Sequence, residues 1–577
     1  MTALPLPASL DGHAATGAHF GANILAPRAA MTGPGSYAEA IEELGVSALR
    51  YPGGSLTEAY FDIGDPDATL VTDNETGEEI DFMPISDLMG YAAATGQPVT
   101  LVIPTRTALS ETELDELGNR LPEIDEAELR DFVRDTVTGE YGDATIAAFE
   151  IGNEYWGAGR MNSAEYGRLA AEMTEIIDDE LARIAEETGT PVDTDIIVQM
   201  GQNYDHADLE DDYAGLSNEE ILADLNETYG LELTAEEAVS SSGRINWQLV
   251  NNEIVIQGFE DAGALEEVDG VTAHVFSKAP EIENSRYNDI TQIENTWHEV
   301  DPDLEIHVTE WNQKSTTEAL DRTEDYGLYQ AHEMLNMLEV FLDTGVDAAH
   351  VWPLIQNTRN ALSGETEHDD PTAPGEMFAM MSESLPGKTA IDFLPDDRET
   401  EYRLDGIDVH GFTDAEDIVF YIASTSRVET QTTKIDISGL VVDQQAVSAR
   451  QLGVAEGDAP GDTDSQARLE LLPEEEVLED GVITATLAPG EILEITLSGV
   501  EPTEDFAPVM AAAGASEDPS LFEELMIDDP APAEVVETDH GSSEGGDGGG
   551  DGGEDGADMD IFLGLLPLLV LGGIVGF

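Results

Sequence analysis

Over roughly the first 390 residues, apolar positions cluster into short continuous runs, separated by longer stretches in which apolar residues recur every three or four positions. Eight such runs stand in order: His19 to Ile24, Ala48 to Pro52, Val99 to Pro104, Ile146 to Gly152, Ile196 to Gly201, Gly270 to Val275, Glu305 to Thr309 and Ala348 to Trp352. A strand buried on both faces reads as an unbroken apolar run, and strand-then-helix repeated eight times is the pattern of a (β/α)8 barrel. The fold class expected is therefore α/β, a TIM barrel over residues 1–386. The clearest helix follows the fourth run, where Asn162-Ser163-Ala164-Glu165 reads as a capping box and Tyr166, Leu169, Ala170, Met173, Ile176 and Ile177 follow at helical spacing. A second helix is expected from about Asp325 to Asp343, stopped at Gly345. The connection from Asn203 to Asp269 is long enough for extra helices over the barrel mouth, including Trp247 to Gly258.

Beyond Pro386-Gly387 the period changes. Short alternating runs follow without helices between them: Tyr402 to Leu404, Ile407 to Phe412, Ile418 to Ala423, Thr433 to Ile437, Val447 to Leu452, Val482 to Leu487 and Ile492 to Leu497. They predict an antiparallel β-sandwich over 387–500. Residues 501–560 form an acidic Gly-, Asp-, Glu- and Pro-rich segment whose composition predicts a disordered linker. Residues 561–577 are an uncharged apolar tail, short for a membrane span of about 20 residues and broken by Pro567, Gly572 and Gly573. A tail anchor, an export signal and a sorting tail all fit it, so contact with a membrane or an export machinery is expected through this tail.

Charge changes the picture of partners and solvent. The chain of 577 residues carries 22 basic against 123 acidic side chains, a net charge of -101. This excludes nucleic acid as a partner and fits a marine or halophilic source, where salt screens self-repulsion. With no cysteine there is no disulfide, thiolate metal site or cysteine nucleophile. Met1 to Gly17 lack the basic start and apolar core of a Sec-type signal peptide.

Two of the runs end in a carboxylate. The fourth continues as Gly152-Asn153-Glu154-Tyr155-Trp156, and the seventh as Thr309-Glu310-Trp311-Asn312. Barrel active sites lie at the C-terminal ends of the strands, and glycoside hydrolysis needs one carboxylic acid to protonate the leaving oxygen and a second carboxylate to attack or to activate water. Glu154 is the candidate acid/base, with Asn153 beside it suited to a sugar 2-hydroxyl, and Glu310 is the candidate nucleophile. Arg50, at the end of the second run, could hold Glu310 ionised, or could serve the fold by pairing with Glu150. Trp311, as a stacking or a packing wall, and His274 and Trp352, as walls or as ordinary strand-end packing, are further candidates for the substrate site. His19, Asn23, Arg106, Gln199, Asn203 and Gln356 are further polar residues near strand ends. No cofactor and no metal are required by this chemistry.

Ile151-Gly152-Asn153-Glu154 on the fourth strand, Thr309-Glu310-Trp311 on the seventh and Arg50-Tyr51-Pro52-Gly53-Gly54 on the second together resemble the retaining glycoside hydrolases of clan A. The resemblance is greatest to the arabinofuranosidase, xylosidase, glucuronidase and related branches that carry a β-sandwich after the barrel, and it spans roughly Ala18 to Val500. It implies a double displacement: Glu310 forms a glycosyl ester while Glu154 donates a proton, and Glu154 then deprotonates the water that releases the sugar. It also implies that Arg50, Asn153, His274 and Trp352 line the sugar site. Phe149 to Arg168 and Val351-Trp352-Pro353 also resemble large acidic proteins described as hemolysin-type calcium-binding, which are exported without an N-terminal signal. The glycine- and aspartate-rich nonapeptide repeat of those proteins is absent around Gly545 to Gly548.

The leading expectation is a retaining glycosidase acting on a poly- or oligosaccharide. The alternative is a non-catalytic carbohydrate-binding or calcium-dependent exported surface protein on the same fold. An extracellular or cell-surface location reached without an N-terminal signal is expected, with the cytoplasm as the alternative. Sugar identity, endo or exo action and oligomeric state are not written in the sequence.

Overall fold

The computed structural model describes residues 2–514, except 6–7, 318, 395–400 and 405. Eight parallel strands close into a barrel: β1 (Gly21–Asn23), β2 (Ala48–Tyr51), β3 (Val99–Ile103), β4 (Ile146–Ile151), β5 (Asp195–Gln199), β6 (Gly270–Ser277), β7 (Glu305–Gln313) and β8 (Ala348–Val351). They coincide with the eight apolar runs of the sequence. A helix follows each strand: α1 (Tyr37–Leu44), α2 (Ile85–Thr95), α3 (Glu126–Val137), α4 (Ser163–Thr188), α5 (Trp247–Ala262), α6 (Asn288–Glu294), α7 (Leu328–Asp343) and α8 (Ala373–Ser384). Helices cover the outside of the strands while the interior is filled from within, so nearly every strand residue is buried.

Local chemistry sets the ends of these elements. Asn162 and Glu165 exchange side-chain and backbone hydrogen bonds in the predicted capping box, satisfying N–H groups that the first turn of α4 leaves unpaired. Helix α7 starts at Leu328, three residues later than expected, because Gly327 holds φ 55° and ψ -122°, outside helical space. It ends before Gly345, whose φ of 69° suits the left-handed conformation expected there. The insertion after β5 carries helix Asn218–Tyr229 and a short turn Ala235–Ala238, which pack Ile221, Leu225, Leu231 and Leu233 against Val250 and Ile254 of α5 in a small core of their own. No helix of the described residues is long and apolar enough to cross a membrane.

The C-terminal region is a β-sandwich. One sheet runs in the order Ser9–Ala14, Thr389–Asp392, Ile407–Thr413, Ile418–Ser424, Ile492–Ser498, Ala446–Val454, Ala467–Leu471, with Tyr402–Leu404 paired to Ile407–Thr413. The other contains Thr2–Ala3, Gln431–Asp436, Val482–Leu487 and Leu478–Glu479. Their facing residues, among them Val409, Phe420, Ile422, Ile435, Ile483, Leu493 and Ile495, form a core separate from that of the barrel.

Two expected boundaries move. The barrel does not begin at residue 1, since Ser9–Ala14 pairs antiparallel with Thr389–Asp392, Leu10 opposite Ile391. This strand reads SLDGHA, too polar to announce itself, and owes its place to a partner far along the chain. The sandwich also extends past residue 500: Glu501–Pro502 pairs with Val441–Asp443, and helix Ala507–Ala513 brings Met510 into the sandwich core beside Phe506. Most of the expected acidic linker and all of the apolar tail lie outside the described residues.

Helices α7 and α8 seat the barrel on the larger sheet. His410 on Ile407–Thr413 contacts Glu339 of α7 at 2.7 Å, and Arg450, paired within the sheet to Glu494 at 2.9 Å, reaches the Met380 carbonyl of α8 at 3.2 Å.

Candidate active site at the C-terminal mouth of the barrel

Strand register brings the candidate residues together. Asn23 lies opposite Arg50 across β1 and β2, and His274 lies opposite Glu310 across β6 and β7, beside an irregularity between Ala273 and His274. Arg50 is fully buried and its five N–H donors are all used. Nε and one Nη grip Glu150 at 2.6 and 2.8 Å, and the remaining donors reach Asn23 at 2.7 Å, Asn153 at 2.9 Å and Glu310 at 3.1 Å. Arg50 is thus the ion-pair partner of Glu150 and also touches Glu310. Burial opposes its charge, but Glu150 and Glu310 raise its pKa above the ordinary value. Gln199 and Thr309 also donate to Glu150, at 2.7 and 3.2 Å, so this buried carboxylate is satisfied on several sides.

Glu154 sits on the turn that leaves β4. Gly152 (φ 80°) turns the chain, and Glu154 itself takes φ 47°, a left-handed conformation that costs a non-glycine residue on the order of 1 kcal/mol or more. Gln199 Oε1 accepts from the Glu154 backbone N–H at 3.3 Å, and the Glu154 carbonyl accepts from Gly157 and Gly159, which holds the turn. The buried Glu58, on helix Leu56–Tyr60, accepts from the backbone of Asn153 (2.9 Å), Thr105 (2.9 Å) and Arg106 (2.7 Å), tying the turn after β4 to the end of β3. Burial raises the Glu58 carboxyl, and these donors pull against that.

His274 stands between the two glutamates. Its Nδ1 is 3.3 Å from Glu154 Oε1 and 3.6 Å from Glu310 Oε2. One carboxylate oxygen of each glutamate and a ring nitrogen of His274 all lie within 4.8 Å of one another. Such a trio has donors for a cation, but the Arg50 guanidinium already fixes a positive charge on Glu310. Burial pushes His274 down, yet Glu310 and Glu154 outweigh it and raise the imidazole above its ordinary pKa. Burial raises Glu310, with His274 and Arg50 opposing. Burial also pushes Glu154 up, but the His274 hydrogen bond and charge, with Arg50 and the nearby Lys314, hold it below the ordinary value.

Two buried donors end in the cleft without a hydrogen-bond partner: Nδ2 of Asn153 and Nε2 of His274. A buried N–H left unpaired is costly, and a ligand hydroxyl would satisfy each. The Trp156 ring stands edge-on to His274 with centroids 6.4 Å apart, and the half-buried Trp352 ring lies against Gly54, where a β-carbon would come within 2.4 Å of it.

One expectation fails. Trp311 does not face the cleft: it is fully buried, with its ring 5.4 Å from Phe341 of α7 and 6.3 Å from Phe378 of α8. Side chains alternate along a strand, so with Glu310 inward its neighbour points out into the helical layer. Of the remaining polar candidates, Asn23 and Gln199 belong to the Arg50–Glu150 network, while His19 is bonded to the Val346 carbonyl below β8 and is pulled by burial down to about 4. Asn203 braces the inserted segment through Leu209 and Asn251, and Arg106 pairs with Glu75. Glu58, Lys314 and Trp156 join the site without a sequence pattern that points to them. Glu58 is one carboxylate among 123 and had no pattern to mark it, whereas Lys314 stands four residues after Glu310 in a chain with very few lysines.

No protein-family model and no curated protein matches the chain. Solved structures do match the fold. An α-L-arabinofuranosidase from Thermotoga maritima in complex with arabinose aligns at TM-score 0.52 and 14% identity, covering 86% of this chain and 98% of the other. The GH51 α-L-arabinofuranosidase of Thermotoga petrophila aligns at TM-score 0.54 and 14% identity over 85% and 98%. A bifunctional glucanase-xylanase from a metagenome library aligns at TM-score 0.53 and 13% identity over 85% and 97%. The class defined is a (β/α)8 barrel followed by a β-sandwich, the architecture of these glycoside hydrolases.

Proposed function

We propose that the protein is a retaining glycoside hydrolase in which Glu310 is the nucleophile and Glu154 the acid/base. The observation that carries this is the closeness of the two carboxylates: one oxygen of each lies within 4.8 Å of the other, which supports the roughly 5 to 5.5 Å group separation of a retaining pair over the roughly 6.5 to 9.5 Å that admits a water. A fixed cation 3.1 Å from Glu310 opposes the rise that burial imposes on its carboxyl, which supports the nucleophile role. Glu154, with its side chain 36% exposed, is the carboxyl nearer solvent, where a leaving group departs and water arrives. Its proton comes from His274 across the 3.3 Å contact. That transfer leaves Glu154 as a neutral acid and His274 as a neutral imidazole, with the total of one proton unchanged. Asn153 Nδ2 binds the sugar hydroxyl next to the anomeric carbon, and Trp352 forms the wall of the subsite.

The substrate is a carbohydrate, in keeping with the arabinose, glucan and xylan glycosides named for the structural neighbours. A panel of aryl glycosides in molar salt tests the reading. Turnover of at least one, with retention of anomeric configuration and loss of at least about 1000-fold in kcat for Glu310→Gln, is expected. No turnover of any substrate, or a fully active Glu310→Gln, refutes it.

A further inference from the structure

At the other end of the barrel, β5 and β7 begin with acids. Asp195 opens β5, Glu305 opens β7, and His307 follows on the same face of β7. The strand between them, β6, begins with Gly270. A β-carbon there would come within 3.1 to 3.2 Å of the His307 ring, so the glycine leaves the space in which the imidazole lies over β6. One carboxylate oxygen of Asp195, one of Glu305 and a ring nitrogen of His307 all lie within 4.8 Å of one another, and His307 Nε2 is 2.9 Å from Glu305 Oε2.

Asp195 is only 7% exposed, and its Oδ2 has no hydrogen-bond partner. A buried ionised carboxylate without donor or counter-ion is costly, so such groups are protonated, paired or bound to metal. The neighbourhood adds negative charge. Asp269 and Asp347 stand just before β6 and β8, their carboxylates accepting the backbone N–H of Ile196 at 2.8 Å and of Ile306 at 2.9 Å. Among the described residues no lysine or arginine is ion-paired with any of these four acids. The Glu305 side chain is 19% exposed, which leaves a path from solvent.

We infer that Asp195, Glu305 and His307 bind one divalent transition cation, Zn²⁺ or Mn²⁺, at the N-terminal end of the barrel. Two carboxylate oxygens with one imidazole nitrogen suit these ions, whereas Ca²⁺ and Mg²⁺ favour all-oxygen shells. Water completes the coordination. The ion ties β5 to β7 across a strand that starts without a side chain, and it takes no part in the chemistry at the opposite mouth.

The test uses the full chain, stripped with EDTA, returned to molar KCl to suppress loose binding by surface acids, and titrated with Zn²⁺ or Mn²⁺ alone. About one equivalent retained through desalting, with a rise in melting temperature that grows with free metal, is expected. Asp195→Asn and His307→Gln should each weaken retention at least about tenfold. Circular dichroism shows whether each variant is folded, and the titration of the unaltered chain stands without them. Less than about 0.2 equivalent retained by that chain at ~100 μM free metal overturns the site. So does retention that survives either substitution in a folded variant, which assigns the metal to other acids.

Discussion

Nδ1 of His274 lies 3.3 Å from Oε1 of Glu154, close enough for one proton to pass between imidazole and carboxylate. Glu310 and Glu154 raise His274 above the ordinary imidazole value, so on the proposed relay the one-proton state should persist to higher pH than a free imidazole would hold it. In His274→Asn the imidazole is gone, and a proton held by this cluster must reside on a carboxyl, Glu154 in the proposed relay, whose ordinary range lies below that of an imidazole. The basic limb of the kcat/KM profile should therefore move to lower pH, and an unmoved limb would refute the relay. The stability windows have opposite signs. The raised His274 contributes stability below the unfolded histidine pKa, lost as pH rises through its folded value. The depressed Glu154 contributes above the unfolded carboxyl pKa, lost as pH falls through its folded value.

Arg50 serves fold and chemistry together, and the two can be separated. Arg50→Met leaves Glu150 buried without its cation and should cost about 3 to 5 kcal/mol in denaturant unfolding. Adding Glu150→Gln should recover part of that stability. It should not recover turnover, because Glu310 still lacks its 3.1 Å partner. Recovery of both would reduce Arg50 to a structural residue.

The two tryptophans predict opposite phenotypes. Trp311→Ala empties a site between α7 and α8 and should destabilise by about 3 to 5 kcal/mol with KM unchanged. Trp352→Ala should leave the melting temperature within a few degrees and raise KM. The reverse pattern would place the sugar against Trp311.

With a net charge of -101, repulsion within the folded chain is screened only when salt is plentiful. Melting temperature should climb from low salt into molar KCl, and a flat response would show that the acids are neutralised by other means.

The barrel was legible because strands buried on both faces leave unbroken apolar runs, and because the glutamates stand where such runs end. The pairing of Arg50 with Glu150 was half visible, since Glu150 and Gly152 share a strand face and an inward charge demands a partner. The orientation of Trp311 is legible in principle: alternation forbids two adjacent strand residues from facing one cleft, and a nucleophilic Glu310 must face it. Glu58 was not visible. It gains its role from Thr105, Arg106 and Asn153, residues 47 to 95 positions away, which no local pattern connects. Ser9–Ala14 was hidden for the same reason, since its partner strand starts at Thr389.

That last pairing bears on how the chain is made. Leu10 leaves the ribosome long before Ile391, and at about 5 to 20 residues per second the wait is roughly 20 to 75 s. During that time the barrel is synthesised behind a strand that has nowhere to dock. Asp11 and His13 within it discourage pairing with the wrong edge. A fragment ending near residue 386 would keep that strand permanently waiting, so the two domains should be produced as one piece, and a cut between them should yield an aggregation-prone barrel rather than a smaller enzyme.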